Sequence, residues 1–184
     1  KLSSLYSQVK TQAWDKSKRI LKERLLPIFQ VAKERNVFIN LDMESYGLKD
    51  LTLEVFSEMI MEPAFKDYRH WGIVIQAYLR DSYADTEKLV QLAKQRNVPF
   101  TVRLVKGAYW DFETVNAHQM GWQIPVYTNK QESDANYEKC AFLLLDNYKE
   151  ISLAIGSHNV RSISACCVYA QQKGVPKNAF EIQM

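Results

Sequence analysis

The sequence predicts a parallel α/β protein of the (βα)8 barrel type, incomplete in this chain, which would carry about strands 2 to 7 and lack the first and last. Three observations point there. Short runs rich in Val, Ile and Phe alternate with longer segments of helical spacing from one end to the other. Polar residues recur where the apolar runs stop. No G-x-G-x-x-G follows any predicted strand, which weighs against a doubly wound dinucleotide sheet, the other way in which parallel strands and helices close. A full barrel needs about 250 residues, so 184 residues suit most of one domain, residues 1–184, with its edges cut away.

Each element has its own signal. The opening Lys1-Leu2-Ser3-Ser4 reads as the end of a sixth strand. A helix from Trp14 to Arg35 puts Ile20, Leu21, Leu25, Ile28, Phe29 and Ala32 on one face, with Pro27 expected to bend or divide it. The strand VFINLD follows, then a helix from Leu48 to Met61 closed by Glu62-Pro63. After the strand GIVIQAYL, a helix from Ala84 to Arg96 has Asp85 as its N-cap, and PFTVRLV is the next strand. Gly107 to Lys130 reads as a long, aromatic-rich loop of the kind that carries function. A helix from Asp134 to Tyr148, the strand ISLAIGS, a helix from Val160 to Lys173 ended by Gly174, and the strand AFEIQ complete the chain.

Composition narrows the function. The mean hydropathy is −0.32, and 24 Lys and Arg face 21 Asp and Glu without a long block of either sign. No polyanionic partner or nucleic acid is expected. Three cysteines without a C-x-x-C pair suit a reducing compartment, and the cytoplasm is the expected location. His70 and His118 have no companion at metal-ligand spacing, so no metal site is expected. Cys166 and Cys167 read as packed or surface thiols within a helix.

In a parallel barrel the ligand lies at the carboxyl ends of the strands. The polar residues there are Lys1, Asp42 with Glu44, Gln76, Arg103 with Lys106, His158 with Asn159, and Glu181 with Gln183. Singly, each is explained by solvation or pairing. Together they form an interior ring whose desolvation a ligand would compensate. RLVKGAYW, Arg103 to Trp110, combines two cations, a Gly-Ala step and two aromatic rings. Those parts suit a large, flat, anionic cofactor, or a basic strand end followed by core aromatics. GSHN, Gly156 to Asn159, opens a helix whose N-terminus favours phosphate or ribityl oxygens.

RLVKGAYWD, with DME at Asp42, IQAYLRD at Gln76, PVYTNK at Pro125, GSHN at Gly156 and the terminal FEIQM, resembles the proline dehydrogenase domain of the bifunctional proline utilization flavoproteins. The resemblance runs from Lys1 to Met184. It implies a (βα)8 barrel that binds FAD non-covalently and oxidises L-proline to Δ1-pyrroline-5-carboxylate by hydride transfer from proline C5 to flavin N5. Electrons would pass to a quinone, and the full-length protein would associate peripherally with a membrane. Carried over by residue, Arg103 lies beside flavin N5 and Gln76 bonds the pyrimidine edge. Lys106, Gly107 and Ala108 line the cofactor, and Trp110 packs on its ribityl or adenosine portion. His158, Asn159 and Gln183 hold it from neighbouring strands, while Thr128 and Lys130 belong to the adenosine-side loop, where Asn129 replaces an expected basic residue. Tyr109 faces the substrate pocket and Lys1 and Asp42 form the substrate side; Arg103, Lys106 and Tyr109 are the catalytic candidates. The family's paired arginines that clamp the substrate carboxylate fall beyond Met184, so the piece alone is expected to be inactive.

Two other readings start from the residues alone. Lys106 could be the imine-forming nucleophile of a Schiff-base aldolase, with Arg103 along the same face to depress its pKa. Alternatively the chain is a non-catalytic barrel fragment with structural strand ends.

Overall fold

The computed structural model describes residues 1–184, and the chain divides into two compact units, Lys1–Ile73 and Val74–Met184. The five strands run parallel and follow one another in chain order across the sheet. They are β1 (Ile39–Leu41), β2 (Trp71–Gln76), β3 (Thr101–Val105), β4 (Ser152–Gly156) and β5 (Phe180–Gln183). The seven α-helices are α1 (Leu2–Leu5), α2 (Trp14–Glu34), α3 (Tyr46–Met61), α4 (Ser82–Arg96), α5 (Trp110–Met120), α6 (Lys130–Asp146) and α7 (Val160–Gln172). The division between units falls inside β2.

In the first unit, α2 buries Leu21, Leu25, Phe29 and Ala32, a stripe at helical spacing. Ile28, expected on that stripe, is 38% exposed. Pro27 neither ends nor divides the helix, which runs unbroken past it. Its ring stands on the exposed side, where the carbonyl of Glu23 that it frees can be hydrated. Below the stripe, Phe29 stacks on Trp71 with ring centroids 4.2 Å apart, and Phe65 and Tyr68 meet Trp71 edge-on. The Trp71 indole N–H donates to Phe65 O at 3.2 Å, and the Tyr68 hydroxyl reaches Val37 O at 3.0 Å. Their burial therefore leaves both polar tips paired. β1 pairs with β2 through Ile39↔Trp71 and Leu41↔Ile73, and α3 ends where Pro63 forces Glu62 to an extended ψ of 138°.

The expected sixth strand is absent. Residues Leu2–Leu5 form a single helical turn, whose Ser3 donates both its backbone N–H and its hydroxyl to the Glu44 carboxylate. Ser-Ser has no β-branched side chain to favour an extended chain, and Lys1 is the N-cap of this turn rather than a strand-end residue.

In the second unit, β3, β4 and β5 pair in register, with Arg103 opposite Ala154 and Gly156 opposite Gln183. Val102 and Leu104 are buried, while Thr101, Arg103 and Val105 on the other face are half-exposed. The expected long loop is broken by α5, which leaves connections of three residues before it and nine after it, Gly107–Tyr109 and Gly121–Asn129. Its inward side is Glu113, Thr114 and Ala117 while Phe112, Val115 and Met120 face outward, so no apolar stripe announces it. The N-cap of α4 is Asp81, and Asp85 is buried in the first turn, because Ser82 already folds back with its hydroxyl on Leu79 O at 2.8 Å. Gly174 follows α7 at φ 67°, as its position at the end of the periodic segment requires.

Candidate functional site

The carboxyl end of the sheet in the second unit carries the largest share of the residues named from sequence. Gln76 closes β2 and is 3% exposed. Arg103 lies in β3, Gly156 closes β4 and Gln183 closes β5. The Arg103 Nε donates to Gln183 Oε1 at 2.6 Å, and Gln183 Nε2 donates to Glu181 Oε1 at 2.5 Å. Arg103 thus spans β4 to reach β5, a distance of about 10 Å across two strand spacings. On its way it passes Gly156, where an added Cβ would lie in ordinary contact with Arg103 Cγ at 3.6 Å but collide with Val105 Cγ1 at 2.8 Å. The bond through Nε leaves the two terminal NH2 groups of the guanidinium to donate elsewhere.

Lys106 follows a different course. Its ammonium bonds Oδ1 of Asp134, and Lys130 bonds Oδ2 of the same carboxylate at 2.6 Å. Burial works against the charge of Asp134, but the two ammonium groups outweigh it and hold the carboxyl below its ordinary range. Lys106 and Arg103 do not meet the same partner: Lys106, just past the end of β3, bonds Asp134 of α6, whereas Arg103 within the strand bonds Gln183 of β5. The expectation that Arg103 would flank Lys106 is corrected accordingly.

The Gly107–Trp110 turn is held by Tyr78. Tyr78 N–H donates to Lys106 O at 2.7 Å and its hydroxyl accepts from Tyr109 N–H at 3.3 Å. Gly107 sits at φ 138° with the Tyr78 ring where a Cβ would be, 2.5 Å away. Burial pushes the Tyr78 hydroxyl up to about 12, so it stays protonated. Tyr127 N–H donates to Tyr78 O at 2.8 Å, and the Trp110 indole donates to Tyr127 O at 3.0 Å. Trp110 is thereby fixed against the 124–127 segment. Ala108 and Thr128 are exposed, and Tyr109 is half-buried.

At the start of α7, Asn159 is the N-cap and its side-chain oxygen accepts from Ser162 N–H at 3.1 Å. Only its NH2 remains for a ligand, whereas His158 is exposed. Asn129, where a basic residue was expected, caps α6 by accepting from Gln131 N–H at 2.9 Å; an arginine or lysine could not accept there. In the first unit, Asp42 is half-buried directly after β1 and Lys1 is exposed.

Sequence reasoning missed Tyr78 and Asp134. Tyr78 lies in the apolar run GIVIQAYL and looks like core. Asp134 stands four residues after Lys130, a spacing that announces the surface half of its pairing and not the half with Lys106.

The family model for proline dehydrogenase matches residues 2–184. The chain belongs to the proline dehydrogenase family. It is 31% identical over 177 residues to the bifunctional protein PutA of Klebsiella aerogenes, covering 96% of this chain and 14% of that protein. The proline dehydrogenase of Deinococcus radiodurans is 33% identical over 159 residues, 85% of this chain and 44% of that enzyme. Among solved structures, proline utilization A from Bdellovibrio bacteriovorus, inactivated by N-propargylglycine, superposes with a TM-score of 0.98 at 60% identity and covers all of this chain and 19% of that one. That from Corynebacterium freiburgense gives 0.94 at 34% identity over 98% of this chain and 19% of that one. The chain therefore spans a minor part of the proline dehydrogenase family members it matches.

Proposed function

We propose that this chain is the cofactor-binding part of a (βα)8 barrel in an FAD-dependent proline dehydrogenase, oxidising L-proline to Δ1-pyrroline-5-carboxylate with a quinone as electron acceptor. The observation that carries the reading is the Arg103 side chain, laid over Gly156 and tied to Gln183 at the carboxyl end of a parallel sheet. The residues suit the cofactor. Arg103 and Lys130 offer cations, Gln76 an amide, Gly107 and Ala108 a backbone without bulk, and Trp110 a ring held by its indole N–H. His158 and the Asn159 NH2 would meet it from β4, and Thr128 from the loop before α6.

FAD, when bound, supplies the two-electron acceptor. The protein's part is placement. Arg103 would hold positive charge beside the bound acceptor, and its bond to Gln183 fixes the guanidinium in advance. Tyr109, carried by the Tyr78 turn, would face the substrate; the assignment of Asp42 and Lys1 to the proline side rests on the family resemblance. No side-chain nucleophile is needed. The Schiff-base reading has less support, since the Lys106 ammonium is bound to Asp134 and lacks Arg103 beside it. No helix is long and apolar enough to cross a membrane; the proposed meeting with quinone would be peripheral, from a cytoplasmic protein.

The test uses the full-length protein that contains this chain. Its visible flavin spectrum should bleach on anaerobic addition of L-proline, and Arg103→Met should bind FAD more weakly and lower the flavin potential. A protein that stays colourless after FAD is supplied, or a yellow one that proline does not bleach, would refute the proposal.

A further inference from the structure

Three polar side chains of the second unit share one face of the sheet: Arg103 of β3, and Glu181 and Gln183 of β5. The register sets Arg103 opposite Ala154 and Ala154 opposite Glu181, while Gly156 and Gln183 form the next row toward the strand ends. Residues two apart on a strand project to the same side, so the carboxylate of Glu181 and the amide of Gln183 both stand on the side of Arg103. The guanidinium bonds the amide: Arg103 Nε donates to Gln183 Oε1 at 2.6 Å, and Gln183 Nε2 donates in turn to Glu181 Oε1 at 2.5 Å.

The chemistry of the three groups fixes the order of that chain. A guanidinium only donates and a carboxylate only accepts, whereas a primary amide does each from a different atom. An amide between them therefore has one satisfied orientation, oxygen toward Arg103 and nitrogen toward Glu181. A half-turn of the amide would set its NH2 against the Nε–H and its oxygen against the carboxylate, and both bonds would be lost together. With Glu181 gone, the same reversal would cost one bond instead of two. The interposed amide has a second effect. Glu181 orders the guanidinium through Gln183 and not by pairing with it, so the cation is held without being cancelled.

We infer that Glu181 is a positioning residue that holds the Gln183 amide with its oxygen toward Arg103, and so fixes the guanidinium at the carboxyl end of the sheet. The inference rests on the proposed function for what the fixed guanidinium serves, the binding of FAD. Glu181 itself is exposed and acts only through Gln183.

The experiment compares Glu181→Gln with Glu181→Leu in the full-length protein, reading the FAD dissociation constant by quenching of flavin fluorescence and the midpoint potential of the bound flavin. Both variants remove the same negative charge, but only glutamine keeps an oxygen that can accept from Gln183 Nε2. The difference between them therefore isolates the hydrogen bond. Glu181→Leu should bind FAD about fivefold more weakly than Glu181→Gln, the ordinary net value of one hydrogen bond, and should show the lower potential. In an Arg103→Met background the difference in affinity should shrink to less than about twofold, because no Nε–H remains for the amide to hold; a merely structural role of Glu181 would persist there. Equal affinities or equal potentials of the two variants with Arg103 present, or an undiminished difference in affinity without it, would overturn the role of Glu181. A wild-type protein that binds no FAD, or an Arg103→Met protein with unchanged affinity and potential, would instead overturn the proposed function. Should Glu181→Leu fail to fold, Glu181→Ala takes its place with the same expected results.

Discussion

Replacing Gly107 by alanine tests the turn on which the site depends. Two separate penalties follow from the structure. At φ 138° an L side chain is strained, at about 1–3 kcal/mol. The added Cβ also overlaps three atoms of the Tyr78 ring, at 2.5 to 2.6 Å. That ring is 4% exposed and its residue is bonded at N–H, O and hydroxyl, so it cannot swing aside; such overpacking adds about 1–3 kcal/mol. The total of about 2–6 kcal/mol corresponds to a fall in Tm of roughly 9–26 °C for the Val74–Met184 unit, at about 4 °C per kcal/mol. Thermal unfolding followed by tryptophan fluorescence gives the measurement. In a Tyr78→Ala background, which removes Cγ, Cδ1 and Cε1, the overlap disappears and the strain persists, so Gly107→Ala should there cost only about 1–3 kcal/mol. A Tm unchanged by Gly107→Ala, or a penalty as large without the Tyr78 ring as with it, would refute this account of the turn.

Asn136→Ala should destabilise by about 1–3 kcal/mol by leaving the buried Ala77 carbonyl without its donor, and Asn136→Asp should not rescue it, because a carboxylate has no N–H to give; calorimetry of the three proteins checks both. Glu58 lies between Lys18 and Lys22, with Nζ to oxygen distances of 2.8 and 2.9 Å, and the Lys18 hydrogen bond lowers its pKa from 4.5 despite burial. A carboxyl depressed in the folded state stabilises above 4.5 and loses that contribution as pH falls through its folded value. Glu58→Gln should therefore flatten the acid limb of stability against pH below 4.5 and leave the shape near neutrality unchanged, as acid titration of the Tm would show. Among the thiols, Cys166 is buried and pushed up to about 12 by that burial, Cys140 is buried and raised, and Cys167 is half-buried. Alkylation mapped by mass spectrometry should mark Cys167 first and reach Cys140 and Cys166 only on unfolding.

The parts of the fold that were legible are those in which burial and sequence pattern agree. Val74, Ile75, Val102, Leu104, Leu153 and Ile155 are buried and sit in runs too apolar for anything but a covered strand. α5 was illegible for the opposite reason: its inward face is Glu113, Thr114 and Ala117, and its large apolar side chains face out. The opening turn was misread because four residues carry no periodicity, and what shapes them is a long-range bond from Ser3 to Glu44. Asp85 looked like a cap because Asp precedes an apolar stripe. Asp81 holds that position since the helix starts with Ser82 folded back on Leu79.

For the site, residue identity was legible and partnership was not. Arg103 and Gln183 stand out as polar groups at strand ends, yet their meeting depends on the register that sets Gly156 opposite Gln183, and no local pattern encodes it. Arg103 and Lys106 look like a pair in RLVKGAYW, but the strand sends one toward β5 and the other toward α6. This divergence decides their roles. A cation bound to a neutral amide keeps its full charge available at the carboxyl end of the sheet, whereas a cation bound to a carboxylate is largely cancelled there. Arg103 is thus the group able to favour a developing negative charge, and Lys106 ties the turn to α6. Reversing the two partners, with Gln183 on Lys106 and Asp134 on Arg103, would leave the composition of the motif unchanged and remove the electrostatic basis of the proposed reaction.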